Sequence, residues 1–292
     1  MSNARRLFCF GLGYSAAALA RDLKREGWSI AGTARAPDKA EELARLGYET
    51  FVFDGSPPSP ALVRGLEQAT HVLLSIPPEA DGDPVLRHCS EVLAAAPTLE
   101  WIGYLSTIGV YGDHKGGWVD ETTPPDPASP RAARRIEAEE AWLSHGRRTG
   151  VRTVVFRLAG IYGPGRSAID KLRDGTAQRI IKPGQVFNRI HVDDIAGALK
   201  ASIAGRGKFD VYNVADDEPA PPQDVVSYAA DLLQMPPPPE IPFAAAKLSP
   251  MAASFYGENR RASNERLHRD LGLELKFPSY REGLRSILAG SG

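Results

Sequence analysis

The sequence predicts an α/β fold with a doubly wound, mostly parallel sheet. Three observations carry this. Leu7, Phe8, Cys9 and Phe10 are apolar, as in a buried parallel strand, and run directly into a turn that holds Gly11 and Gly13. A helical pattern follows at Ala16, Ala17, Leu19, Ala20 and Leu23. Further along, short apolar runs alternate with amphipathic segments, as in strands joined by helical crossovers.

The bulk properties narrow the class. A chain of 292 residues has room for one large domain or a domain with a smaller lobe, and at that size roughly three quarters of the unfolded surface is buried. With 35 basic against 36 acidic residues and no long basic block, a nucleic-acid footprint is not expected. No apolar run reaches membrane-spanning length and no signal-peptide pattern is present, which points to a soluble, cytoplasmic protein. Cys9 and Cys89 lack metal-ligand spacing, the six histidines are scattered, and no metal is expected.

At the first turn, Gly11-x-Gly13-x-x-Ala16 follows the dinucleotide-binding pattern, with alanine in the helix-packing place. The first glycine can take a backbone conformation closed to side chains. The second lets phosphates approach the backbone beside the helix N-terminus. Leu12, Tyr14 and Ser15 belong to the same expected cofactor contact.

Residues 28–34 read as the second strand, delivering Thr33 and Arg35. A carboxylate here would hold the ribose of NAD, whereas a basic residue pairs with the extra phosphate of NADP. With no acid at this strand end, and Lys39 a turn further on, NADP(H) is expected over NAD(H); the competing reading of Arg35 is a solvated loop residue. A charged helix at 37–46 leads to a third strand at 49–53. Asp54 and Gly55 follow, Asp54 either accepting from the adenine amino group or opening the turn. The fourth strand, 71–76, brings Ser75, Ile76 and then Pro77 to the edge over which a cofactor passes. A helix at 83–96 precedes the fifth strand, 101–105, which delivers Ser106 and Thr107 at its carboxyl end, where open α/β sheets place their chemistry.

From here the motifs become specific. LSTIGVYG at 105–112, VDETTPP at 119–125, RLAGIYGPGR at 157–166 and NRIHVDDIA at 188–196 occur in this order, closed by YNVADD at 212–217. The chain resembles the extended short-chain dehydrogenase/reductases, the NAD(P)-dependent epimerase/dehydratase group. The resemblance implies a Rossmann-type, seven-stranded, mostly parallel sheet with a small α/β C-terminal substrate lobe. The sheet domain would comprise 1–166 plus 187–217, and the lobe 167–186 plus 218–292. A proline run at 236–239 fits a stiff surface crossing.

The resemblance also implies a Tyr-x-x-x-Lys pair on the helix after the fifth strand. Here Arg131 stands in the tyrosine's place and Arg135 in the lysine's. An arginine keeps its proton at physiological pH, so Arg131 cannot do the acid/base work. Arg135 retains the donors to bind the nicotinamide ribose, and Arg131 suits an anionic substrate group; the competing reading, stronger for Arg131 than for Arg135, is that Arg131, Arg134 and Arg135 are basic members of an exposed helix paired with Glu137, Glu139 and Glu140. Ser106 or Thr107 would hydrogen-bond the reacting oxygen, with water, Tyr111 or Tyr162 supplying the proton. Tyr162, Arg189 and His191 are expected at the substrate pocket, His191 also reading as part of a helix start. The expected activity is hydride transfer on a polar hydroxyl or carbonyl substrate, as an oxidoreductase or epimerase-like enzyme. The alternative is an inactive module that senses NADP(H). A homodimer through the helices at 83–96 and 129–145 is also implied.

Overall fold

The computed structural model describes residues 5–290; residues 1–4 and 291–292, at the outer ends of the two expected domains, lie outside the described residues. Seven strands form one sheet in the order Val211–Val214, Arg152–Leu158, Trp101–Thr107, His71–Leu74, Arg6–Phe10, Ser29–Ala34, Glu49–Val52. All six neighbouring pairs are parallel. The order reverses beside the first strand, and open α/β sheets bind ligands outside the carboxyl ends at such a point. Gly11, Ser75 and the end of the fifth strand meet there.

Both faces of the sheet are covered, which explains the continuous apolar strands. On one side Leu7, Cys9, Leu73 and Phe156 pack with Leu19 of helix Tyr14–Arg25 and Leu199 of helix Val192–Ile203. On the other, Phe8, Phe10, Val72 and Ile102 pack with Leu62, Leu93 and Trp142. Both cysteines are buried and unpaired with each other.

Helix Pro60–Glu67 has no counterpart in the sequence reading. Ser59 caps it, accepting from the Leu62 N–H at 3.2 Å, and Leu62, Gly65 and Leu66 face inward. Its cap and first-turn proline are ordinary start signals, masked by the preceding Pro57 and Pro58. Helix Pro130–Thr149 runs four residues past its expected end at 145 and stops at Gly150, whose φ of 76° is left-handed.

A third apolar core lies apart from the sheet. Ile169, Leu172, Val225, Ala229, Leu284 and Ile287 join helices Ala168–Arg173, Pro222–Leu232 and Tyr280–Ala289, with a two-stranded pair, Arg179–Ile181 and Glu240–Pro242, beside them. Ala262, Leu267 and Leu271 pack into the sheet's core instead. The chain after 258 therefore returns across the carboxyl end of the sheet before closing on the third core.

Candidate functional site

The site begins at the glycine turn. Gly11 has φ +84°, and a Cβ there would meet Ile76 Cγ2 at 2.6 Å, so only glycine fits. Its N–H donates to the Thr33 hydroxyl at 2.9 Å, and the Leu12 N–H donates to the Thr33 carbonyl. Thr33 is buried, and its hydroxyl oxygen, by accepting, holds the turn in place. Gly13 differs from Gly11. It is the N-cap of helix Tyr14–Arg25, has ordinary negative φ, and a Cβ on it would meet nothing within 4 Å. No side chain caps the helix and its first turn has no acid. The first-turn N–H groups therefore have no side-chain partner and carry a partial positive charge, the arrangement that takes a phosphate. A dinucleotide's pyrophosphate fits here.

Gly11 also borders a cleft lined by Arg35, Asp54, Gly55, Ile76, Pro77 and Glu79. Asp54 accepts from the Ser56 N–H at 3.0 Å, and this bond, with Arg35 nearby, holds its carboxyl below the usual range. Asp54 is thus ionised and ready to accept from an amino group. Leu12 is buried beneath the turn, and Ser15 is buried on the helix. Tyr14 points elsewhere: its hydroxyl donates to the Pro164 carbonyl at 3.0 Å, and Arg166 stacks over its ring at 5.7 Å. This ties the glycine helix to the loop after Tyr162.

At the end of the fifth strand, successive residues face opposite ways. Ser106 is buried, and its hydroxyl donates to Glu139 at 2.5 Å. Glu139 is held by Arg157 at 2.7 to 3.2 Å through three contacts, and Arg157 donates to the Tyr111 hydroxyl at 2.9 Å. Tyr111 in turn donates to Asn213 at 2.8 Å. The expectation that Ser106 meets cofactor or reacting oxygen is therefore corrected: its proton is committed to a buried carboxylate. Tyr111 is corrected likewise, since it is fully buried and burial raises its hydroxyl pKa, so it does not reach a substrate. Thr107 stands differently. It is partly exposed, and its oxygen accepts from the Gly109 N–H at 3.1 Å, leaving its own O–H proton to donate outward.

Helix Pro130–Thr149 carries the two arginines. Arg131 is exposed in its first turn. Arg135 donates to the Tyr104 hydroxyl at 3.1 Å and the Leu105 carbonyl at 2.8 Å, with its guanidinium 5.7 Å above the Tyr104 ring. Through one nitrogen it fastens the helix to the fifth strand. The expected pairing of Glu139 with neighbouring helix arginines is overturned, because Glu139 lies on the inward face with Ala132, Ala138 and Trp142.

The remaining pocket candidates are structural in character. His191 is buried, caps helix Val192–Ile203 by accepting from the Asp193 N–H at 3.2 Å, and packs against Tyr162 and Phe277 at 5.2 and 4.1 Å. Burial pushes its pKa down to about 4, so it is neutral near pH 7 and is no proton carrier there. Tyr162 donates to the Ser279 carbonyl at 3.3 Å, and burial moves its pKa well upward, which removes it as a proton donor. Arg189 donates to the Phe187 and Ala220 carbonyls at 2.9 and 3.1 Å, joining sheet to lobe.

Arg260 was not foreseen. Its Nη2 lies 3.9 Å from where a Gly109 Cβ would stand, and it donates to the Gly112 carbonyl and pairs with Glu258. Its signal, a run of two arginines in the last third of the sequence, is indistinguishable from solvated charge. Among the described residues no cluster of histidine, cysteine and acids could hold a metal ion, and no helix is long and apolar enough to cross a membrane.

Comparison with known proteins agrees with this architecture. Residues 86–215 match the model of the NAD dependent epimerase/dehydratase family. A functionally unknown conserved protein from Silicibacter pomeroyi is 48% identical, with 98% of this chain and 99% of that one covered and a TM-score of 0.88. Protein YeeZ of Escherichia coli K12 is 27% identical over 94% of this chain and 97% of its own. A 3-diazoavenalumate denitrifying reductase from Streptomyces is 28% identical over 90% and 93%. Solved structures with the same fold include the UDP-glucose 4-epimerase of Thermus thermophilus in complex with NAD, 22% identical with a TM-score of 0.73 and 99% of this chain covered.

The last comparison corrects the cofactor expectation. That epimerase and three further structures of this fold, with TM-scores of 0.75 to 0.76, hold NAD, which overturns the preference for NADP drawn from Arg35. The physical reason lies around Arg35. Its charge faces Asp54 across the cleft, and Lys39 is already paired with Glu42 at 2.5 Å.

Proposed function

We propose that the protein is an NAD(H)-dependent oxidoreductase or epimerase-like enzyme that acts on a polar hydroxyl or carbonyl substrate, with acid/base groups other than a tyrosine. The observation that carries this reading is Gly13: a glycine with open space where a side chain would stand, at an uncapped helix end two residues on from Gly11, which itself borders a cleft with Asp54. Bound there, the cofactor supplies a hydride donor or acceptor. The first-turn N–H groups of helix Tyr14–Arg25 hold its phosphates, and Asp54 accepts from the adenine amino group. Thr107 donates its free proton to the reacting oxygen, holding it at the end of the fifth strand. Arg131, permanently charged and exposed one turn before Arg135, clamps an anionic group of the substrate. The proton is exchanged with water, since the hydroxyls of Ser106, Tyr111 and Tyr162 are turned into the protein. NAD(H) is named because relatives of this fold are solved with NAD.

That inward orientation also supports a second reading, a binding module that senses NAD(H) without turnover. The two are separated by following NADH absorbance across a panel of sugar nucleotides and small carbonyl compounds. Turnover that Thr107→Ala reduces by about a hundredfold, with NAD affinity kept, is expected for the enzyme. Binding without turnover across the panel supports the sensor.

A further inference from the structure

We propose that Glu79 selects between the two pyridine dinucleotides, by fixing a carboxylate at the adenosine end of the cleft where the additional phosphate of NADP would stand. This rests on the reading that the cleft takes NAD(H). The second strand ends in Thr33, Ala34 and Arg35, so the usual acid that refuses this phosphate is missing from its ordinary place. The opposing charge comes from elsewhere in the fold.

Glu79 sits between the fourth strand and helix Pro84–Ala95, in a loop that folds on itself: its N–H donates to the Gly82 carbonyl at 2.9 Å. Arg87, in the first turns of that helix, donates to the Glu79 carboxylate at 3.2 Å and pairs with Asp81 as well. The carboxylate is thereby aimed, not left to sweep solvent. It lies over Gly55, where a Cβ would stand 3.0 Å from Oε1 and 3.2 Å from Oε2, and where φ of +101° already favours glycine. It borders the same cleft as Arg35 and Asp54. Two carboxylates from different loops thus face one arginine. A ribose hydroxyl can donate to such a carboxylate. A phosphate dianion cannot, and meets repulsion in a partly desolvated space.

The test is calorimetric titration of the full chain with NAD and with NADP, for the wild type, Glu79→Gln and Arg87→Ala. Glu79→Gln should tighten NADP binding about tenfold, equivalent to ~1.4 kcal/mol, while NAD affinity changes less than about threefold. Arg87→Ala should shift the ratio in the same direction by a smaller factor. Retained NAD binding with an unchanged NAD-to-NADP ratio in Glu79→Gln overturns the role of Glu79 alone. A wild type that binds neither dinucleotide overturns the reading of the cleft, and the selection with it.

Discussion

The two ends of the proposed reaction groove treat polar groups in opposite ways. After the glycine turn the protein leaves polar groups unspent: a side chain at Gly13 would meet nothing, the helix has no cap for its first N–H donors, and the acceptor Asp54 is exposed and ionised. At the fifth strand it spends them, because Ser106, Tyr111, Arg157, Glu139 and Asn213 satisfy one another in a buried chain. Unspent donors serve a ligand and spent ones serve the fold. Thr107 is the exception at the second end, which is why the proposed chemistry rests on it.

The comparison breaks first, and most severely, at the buried pair. Glu139→Ala leaves the Arg157 guanidinium without its partner in a site where both side chains are 6 to 7% exposed. Denaturant unfolding should show a loss of about 3–5 kcal/mol, the usual result of stranding a buried charge. A surface pair would cost under about 1 kcal/mol, and that outcome would mean the network is solvated.

The two glycines sharpen the contrast. Gly11→Ala combines a left-handed φ with a clash against Ile76 and should destabilise the fold by at least ~1 kcal/mol. Gly13→Ala has neither problem and should unfold at the same denaturant concentration as the wild type, yet bind NAD about tenfold more weakly, as read by calorimetry. If the two substitutions behaved alike, Gly13 would be an ordinary packing residue.

The smallest expected effect concerns pH. Burial holds His191 and His71 near pKa 4 in the folded chain, against about 6.5 when unfolded. A lowered folded pKa means the unfolded state binds more protons. The stabilisation is therefore complete above pH 6.5 and is lost as pH falls toward 4. His191→Asn, which keeps a capping acceptor, should flatten its share of that acid loss in melting curves taken between pH 7 and 4.5.

The difference between the two ends also governs what could be read from sequence. The glycine turn is local: strand, two glycines and helix lie within twenty residues, and each residue type has its own backbone consequence. The parallel sheet followed from the apolar runs, and the family resemblance from motifs spread along the chain. The buried chain was not legible, because Ser106 and Glu139 are 33 residues apart and Arg157 another 18 along. On helix Pro130–Thr149 the arginines and glutamates look like solvated charge, and only the helical period shared with Ala132 and Trp142 reveals that Glu139 points inward. The NADP expectation failed for a related reason. It read one strand end, whereas the charge facing Arg35 arrives from Asp54 on a different loop.

The seat proposed for NAD is the open glycine at the uncapped helix. Titration of the wild type and Gly13→Val with NAD, each checked for equal thermal stability without ligand, tests it directly. Saturable one-to-one binding by the wild type that the valine abolishes is the predicted result. Undiminished binding in Gly13→Val, or none in the wild type, would contradict it.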